Sequence, residues 1–191
     1  MGAIDFDAWG FNESIAQPAF FMMVAVFAVP HVLYAYIWLG TNSYVKQCKD
    51  RNLDPAEVVA NLGVWIKVWQ YLSCVAWYIQ NGPAFSIWNV TLPRLLAAIA
   101  LIGAGQVFNF AVYKTLGKDG VYYGSKLGRP GPWVKGFPFV IRDPQYSGCV
   151  MTIWGGFFLF QTATHLQNGM LPLTLAWTAC YAASSIIEGE F

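Results

Sequence analysis

Charged side chains are scarce in this sequence. Of its 191 residues, 11% are Asp, Glu, Lys or Arg and 57% are hydrophobic, whereas a soluble domain carries about 25% charged residues. The formal net charge is +1, so the chain also lacks the excess of basic residues that nucleic-acid binding requires. Composition therefore predicts an integral membrane protein with no nucleic-acid partner.

Disulfide and metal-binding patterns are missing as well. The four cysteines have no C-x-x-C spacing, and the chain contains two histidines. We therefore expect reduced cysteines that pack against apolar neighbours, and no bound metal. The first residues are acidic and lack the positive charge with which a signal peptide begins, so we expect no cleaved leader.

Long apolar stretches dominate what is present. They cover residues 18–40, 60–80, 95–113, 148–164 and 170–187. At about 1.5 Å per helical residue, the first three easily cross a hydrocarbon core of about 30 Å and the last two just suffice. The pattern predicts an all-α integral membrane protein of about five transmembrane helices. We treat residues 1–191 as a single membrane domain, with N-terminal helices up to residue 94 and a core from 95 to 191.

Basic residues concentrate in two polar segments, 41–59 and 114–147. With five spans, both segments lie on the same side as the C-terminus, and the positive-inside rule assigns that side to the cytoplasm or to an organelle's matrix. The sequence leaves the membrane open: endoplasmic reticulum and an organelle membrane such as the mitochondrial one both fit.

The segment 117–147 is too polar and too rich in Gly and Pro to span, yet it is unusually aromatic. A loop of about 30 residues without secondary structure is uncommon unless it is functional. We predict an interfacial or re-entrant Gly-Pro-aromatic loop before the last helical hairpin. A solvated connector is the alternative.

This loop carries an ordered motif, with these residues: Gly117, Gly120, Tyr123-Gly124, Phe137-Pro-Phe139, Arg142-Asp-Pro-Gln-Tyr146 and Gly148. The motif resembles the signature of phospholipid N-methyltransferases, especially the short plant-type phosphatidyl-N-methylethanolamine enzymes, and the likeness runs from about residue 105 to 188. It is similar, more distantly, to isoprenylcysteine carboxyl methyltransferases. The resemblance implies S-adenosylmethionine as methyl donor, a phospholipid amine as acceptor in phosphatidylcholine synthesis, and residues 95–191 as the methyltransferase core.

The resemblance also implies roles for the charged end of the motif. Arg142 would hold the donor's carboxylate, and Asp143 would accept from the donor's amino group or take the substrate proton. Asp143 and Tyr146 are therefore the catalytic candidates. The alternative needs no ligand: Asp143 would cap the next helix before a proline, and Arg142 would anchor the loop at the interface.

Further donor-binding candidates lie outside the motif. Gly103 and Gly105 match a Gly-x-Gly of animal-type members, although small residues in a membrane helix also serve close helix packing. Glu188 stands where the family places a donor-binding acid, with Gly189 in place of its acidic neighbour and Glu190 as the next acid. This departure keeps a second function open, namely an inactive member serving as a structural or lipid-binding subunit of a larger membrane complex. A methyltransferase acting on isoprenoid or quinone-like acceptors is a third.

Four polar residues inside the apolar stretches complete the candidates. Lys67 is an intramembrane charge, which is a functional candidate by default, but we expect it to snorkel to the nearby interface. His31 is expected to be a satisfied packing histidine. Gln106 and Asn109 need partners, which either a neighbouring helix or the donor's adenosine would supply.

Overall fold

A computed structural model of the chain describes residues 7–11, 14–129 and 134–189. The described residues form helices and turns, without strands. The α-helices are α1 (Pro18–Leu39), α2 (Thr41–Lys49), α3 (Pro55–Asn81), α4 (Leu92–Val121), α5 (Pro144–Phe160), α6 (Ala163–Gln167) and α7 (Met170–Gly189). The predicted all-α architecture is confirmed.

Among the described helices, α1, α3, α4 and α7 are long and apolar enough to cross a membrane. Helix α5 has 17 residues and extends about 26 Å at 1.5 Å per residue, slightly less than a hydrocarbon core of about 30 Å. The membrane character is therefore confirmed, and the count of five spans stays a prediction.

Helix α3 begins before the apolar stretch that predicted it. The Asp54 side chain accepts hydrogen bonds from the backbone N–H groups of Ala56 (2.9 Å) and Glu57 (3.0 Å), and Pro55 occupies the first helical position. Both features stabilise a helix start. The first turn is polar, so hydropathy alone places the start too late.

The predicted loop is shorter than expected because α4 continues to Val121. Gly117 interrupts this helix with a φ of 65°, a conformation that glycine adopts without steric cost, and another helical turn follows. The expectation of a segment without secondary structure is therefore wrong for residues 117–121. Turns follow at residues 122–128 and 137–140.

The predicted fourth helix also ends early. Helix α5 stops at Phe160, where Arg94 of α4 donates hydrogen bonds to the carbonyl oxygens of Phe158 (3.0 Å) and Gln161. The Thr162 hydroxyl then accepts from the backbone N–H of His165 (3.3 Å) and starts α6. The apolar stretch 148–164 therefore does not form one helix, since these two polar side chains divide it.

Helices α4 and α5 lie in backbone contact. A Cβ placed on Gly105 would lie 2.5 Å from the carbonyl oxygen of Gly148, and one placed on Gly148 would lie 2.7 Å from that of Gly105. Small residues permit such an approach between membrane helices. The contact fixes where α5 begins, and thereby where the end of the motif lies.

Both basic segments and the end of α7 meet at one end of the helix bundle, here called the basic end. Lys118 lies 2.6 Å from the Glu57 carboxylate, and Arg129 lies 2.8 Å from that of Asp54. These ion pairs join the residues after Gly117 to the start of α3. The Arg142 guanidinium, further along, donates to a carbonyl in the last turns of α7.

Candidate active site

A cavity of about 440 Å³ lies inside the bundle, with walls from α1, α3, α4, α5 and α7. Its walls are largely apolar and aromatic, and they include Phe27, Trp77, Phe157 and Trp177. On α3 and α4, the lining residues Tyr71, Val75 and Gln106 are exposed. The cavity therefore opens sideways between these two helices, toward the space that lipid occupies in a membrane.

Glu188 lies at the basic end with its carboxylate turned inward. Its Oε1 accepts hydrogen bonds from the hydroxyls of Tyr146 (2.6 Å) and Tyr123 (2.5 Å). Burial, reinforced by the Glu188 carboxylate, raises the pKa of Tyr123 well above its ordinary value, so this hydroxyl stays protonated and donates. Among the described residues Oε2 has no hydrogen-bond partner, which leaves an acceptor for a ligand.

Arg142 and Asp143 fasten the start of α5 to the last turns of α7. The Ser185 hydroxyl donates to the Asp143 carboxylate, and the Arg142 guanidinium donates to the Ser185 carbonyl oxygen (3.1 Å). Asp143 stands at the N-cap position of α5, directly before Pro144, but its side chain makes no capping hydrogen bond to that helix. The Arg142 Nε also lies 3.4 Å from the Asp143 carboxylate, and the Arg142 side chain is 65% exposed, so part of its guanidinium stays accessible to a further anion.

Two residues of this group have unusual backbone conformations. Tyr123 has a φ of 60° and Asp143 a φ of 48°, and they are two of the three non-glycine residues with positive φ in the described part of the chain. Left-handed conformations are uncommon outside glycine, and they concentrate at functional sites. We call Tyr123, Arg142, Asp143, Tyr146 and Glu188 the polar cap.

Tyr181 connects the polar cap to the cavity. It lines the cavity, and its ring centroid lies 5.7 Å from that of Tyr146. On its other side, the Lys67 ammonium donates to the Tyr181 hydroxyl (2.8 Å) and to Oε1 of Gln70 (3.0 Å). The expectation that Lys67 snorkels to the interface is wrong, because these two internal acceptors hold its ammonium inside the bundle.

Comparison with known proteins identifies the family. Residues 93–191 match the model of the family described as Phospholipid methyltransferase. The chain belongs to this family. It is similar to a phosphatidyl-N-methylethanolamine N-methyltransferase of Arabidopsis thaliana, with 38% identity over 126 residues that cover 65% of this chain and 70% of the relative. No solved structure matches. The predicted family and its enzyme class are thus confirmed.

Within this phospholipid methyltransferase, the predicted donor-binding glycines lie in different surroundings. Gly103 is exposed, and nothing lies within 4 Å of a Cβ placed there. Gly105 is buried against Gly148, as helix packing requires. No residue of the polar cap is among the nearest neighbours of a Cβ placed at either glycine, and their donor-binding roles stay predictions.

Gly189 in the last turn of α7 lies against Arg142. The Arg142 guanidinium occupies the space that a Cβ at Gly189 would take. A side chain there would have to displace Arg142 from its contact with α7. Glu190 lies outside the described residues, so its predicted role stays a prediction.

The two predicted amides lie on the cavity wall and have partners on α5. Gln106 donates to the Thr152 hydroxyl (3.0 Å), and the Asn109 carbonyl oxygen accepts from the Cys149 thiol (3.7 Å). The sequence left a neighbouring helix and the donor's adenosine open as partners for these amides. The structure shows the neighbouring helix as the partner. His31 is satisfied in part: its Nδ1 lies 2.7 Å from the Ser184 hydroxyl, whereas its buried Nε2 has no hydrogen-bond partner among the described residues.

Sequence reasoning missed three residues of the site, Tyr123, Tyr181 and Ser185. Tyr123 belongs to the motif, but the motif alone gave it no role. Tyr181 precedes Glu188 by seven residues, which places both on one face of a helix. That spacing was the available signal for Tyr181, whereas nothing in the sequence marks Ser185.

Proposed function

We propose that this chain transfers methyl groups from S-adenosylmethionine to the amine of phosphatidyl-N-methylethanolamine or its dimethyl analogue, in phosphatidylcholine synthesis. Family membership and the name of the plant relative support this reaction. The observation that carries it is the arrangement of the polar cap, which closes the basic end of an apolar cavity that opens sideways. Such a site lets a lipid reach a polar reactant without leaving the membrane.

The residues of the polar cap fit the donor. The carboxylate of S-adenosylmethionine matches the exposed Arg142 guanidinium. The ribose hydroxyls of the donor match the inward Glu188 carboxylate, whose Oε1 accepts hydrogen bonds from two tyrosines. When bound, the donor supplies a methyl group on a sulfonium, which is already activated for in-line displacement. The protein therefore has to align the two reactants and exclude water.

The acceptor needs one proton removed, because an alkyl ammonium has no lone pair with which to attack. We assign this proton to Asp143, whose carboxylate accepts a hydrogen bond from the Ser185 hydroxyl at the basic end of the bundle. Tyr146 donates to Glu188 and packs against Tyr181, so it positions the donor-binding acid relative to the cavity. The apolar walls would take the acyl chains and keep water from the reacting amine.

The basic end of the bundle is the side that we assign to the cytoplasm or the matrix. Lys46, Lys49 and Arg51 lie in or just after α2, and Tyr44 of α2 donates to the carbonyl oxygen of Pro55 (2.8 Å) at the start of α3. The basic charges therefore gather where the polar cap lies, as the positive-inside rule requires. The endoplasmic reticulum or an organelle membrane such as the mitochondrial one would house the protein.

Titration with S-adenosylhomocysteine tests the proposal. Purified wild-type protein should bind it saturably, and Glu188→Ala should bind it about tenfold to a hundredfold more weakly, the range expected for lost hydrogen bonds to a charged group. Glu57→Ala is the matched control, since it removes an acid from the basic end that pairs with Lys118 outside the polar cap. Its affinity should equal that of wild type.

Two results would contradict the proposal. If folded wild-type protein shows no saturable binding, the inactive subunit becomes the better interpretation. If Glu188→Ala binds as wild type does, Glu188 does not hold the donor. A companion assay with labelled donor should show methyl transfer to phosphatidyl-N-methylethanolamine in vesicles and none to a quinone precursor, since the opposite preference would favour the isoprenoid alternative.

A further inference from the structure

We propose that Lys67 binds the phosphate of the phospholipid acceptor, at the junction between the cavity and the polar cap. This inference rests on the proposed function, because it concerns how the same site recognises its lipid. It assigns a specificity-determining role to an intramembrane lysine that lies outside the motif of the family.

Lys67 lacks an anionic partner among the described residues. Its two acceptors, the Gln70 amide oxygen and the Tyr181 hydroxyl, are both uncharged, and none of the ion pairs found in the described residues includes it. An ammonium has three N–H donors, so one remains for a ligand. Charges inside membrane helices are costly, are normally paired, and mark functional sites. A bound anion would supply the missing partner.

The position of Lys67 places that anion at the inner edge of the cavity. Tyr71, Cys74 and Tyr78 line the cavity from α3, and Lys67 lies one turn before Tyr71 on the same face of the helix. Tyr181 lines the cavity and accepts from the Lys67 ammonium. A lipid headgroup that passes from the cavity toward the polar cap therefore meets Lys67.

The chemistry of the acceptor decides which anion fits. In phosphatidyl-N-methylethanolamine, two carbons and one ester oxygen separate the amine from the phosphorus. With the acyl chains in the cavity and the amine at the polar cap, the phosphate falls between them, beside Lys67. Lys67 attracts the phosphate and repels a protonated amine, so it also favours the neutral amine that attacks. The donor's carboxylate is the other available anion, and Arg142 lies at the polar cap to receive it.

Binding measurements with two lipids test the assignment. Full-length protein in detergent is titrated with short-chain phosphatidyl-N-methylethanolamine and with an analogue in which an uncharged carbamate replaces the phosphate. Wild type should prefer the phosphate lipid by about tenfold to a hundredfold, the range for a charge-assisted contact. Lys67→Met should lose this preference, and Lys67→Arg should keep most of it. Lys46→Met, which removes an exposed charge from α2, should keep all of it.

Three results would overturn the inference. The first is an unchanged phosphate preference in Lys67→Met, and the second is no phosphate preference in wild type. The third is weaker S-adenosylhomocysteine binding by Lys67→Met with the lipid preference unchanged, because this result would assign the anion to the donor. Displacement of the lipid by millimolar inorganic phosphate would indicate a general anion site and would also count against it.

Two further measurements keep the test decisive. If Lys67→Met does not fold, Tyr181→Phe replaces it, since this variant keeps the ring and removes the hydroxyl that holds Lys67. An unchanged preference of Tyr181→Phe for the phosphate lipid would overturn the inference. Titration of wild type with S-adenosylhomocysteine separates the two proposals. Absent donor binding with an intact Lys67-dependent phosphate preference would reject the methyltransferase reaction alone, and the reverse would reject only the role of Lys67.

Discussion

Replacing Gly105 with alanine tests the contact that holds α5 against α4. The added methyl carbon would lie 2.5 Å from the Gly148 carbonyl oxygen and 2.5 Å from the Thr152 hydroxyl. The hydroxyl can rotate away, but the carbonyl oxygen belongs to the backbone of α5. The two helices must therefore separate, and the start of α5, which carries Asp143 and Tyr146, must move with them.

Gly103→Ala is a matched control, because it makes the same substitution two residues earlier in the same helix, where a Cβ meets nothing within 4 Å. Both variants gain the better helix propensity of alanine, about 1 kcal/mol, so this gain cancels between them. The remaining difference is the cost of overpacking, about 1–3 kcal/mol. For a chain of this length, that corresponds to a melting temperature about 2–12 °C lower for Gly105→Ala than for Gly103→Ala.

The assay is thermal unfolding of both variants in the same detergent, combined with S-adenosylhomocysteine binding at a temperature where both are folded. Asp143 and Tyr146 lie at the start of α5 and move with it. Gly105→Ala should therefore also bind S-adenosylhomocysteine more weakly than Gly103→Ala does. Equal melting temperatures for the two variants would refute the packing argument. A loss of binding by Gly103→Ala alone would instead favour the predicted donor-binding role of the first glycine.

Two further predictions concern the ends of helices. Arg94→Met should lower stability by about 1.5–3 kcal/mol, the range for hydrogen bonds from a charged group, because the carbonyls of Phe158 and Gln161 lose their donor; an unchanged melting temperature would show that water satisfies them equally well. At Asp54, the backbone N–H of Glu57 and then the Arg129 guanidinium hold the carboxyl pKa below its ordinary value. The carboxylate therefore stabilises the fold above that ordinary value and loses this effect as the pH falls through the lowered pKa. Asp54→Asn should flatten the acidic part of the melting-temperature profile, and an unaltered profile would contradict this.

Much of the protein follows from its sequence. Scarce charge and long apolar stretches determine a helical membrane protein, because a backbone in lipid must satisfy its own hydrogen bonds. The ordered motif from Gly117 to Gly148 identifies the family, since its residues are contiguous and need no tertiary information. Helix ends were predicted less well, because polar side chains such as Asp54, Arg94 and Thr162 set them, and hydropathy does not register single hydrogen bonds.

The direction of each buried polar side chain depends on the tertiary structure. In the sequence, Lys67 is a charge close to an interface, and only the approach of α7 with Tyr181 gives its ammonium an internal acceptor. Gly105 fits two roles in the sequence, and its contact with Gly148, more than 40 residues later, shows helix packing. Glu188 turns inward because Tyr123 and Tyr146, from two other segments, donate to the same oxygen. A one-dimensional pattern records which groups are present, whereas these hydrogen bonds depend on which distant groups the fold brings within 3 Å of them.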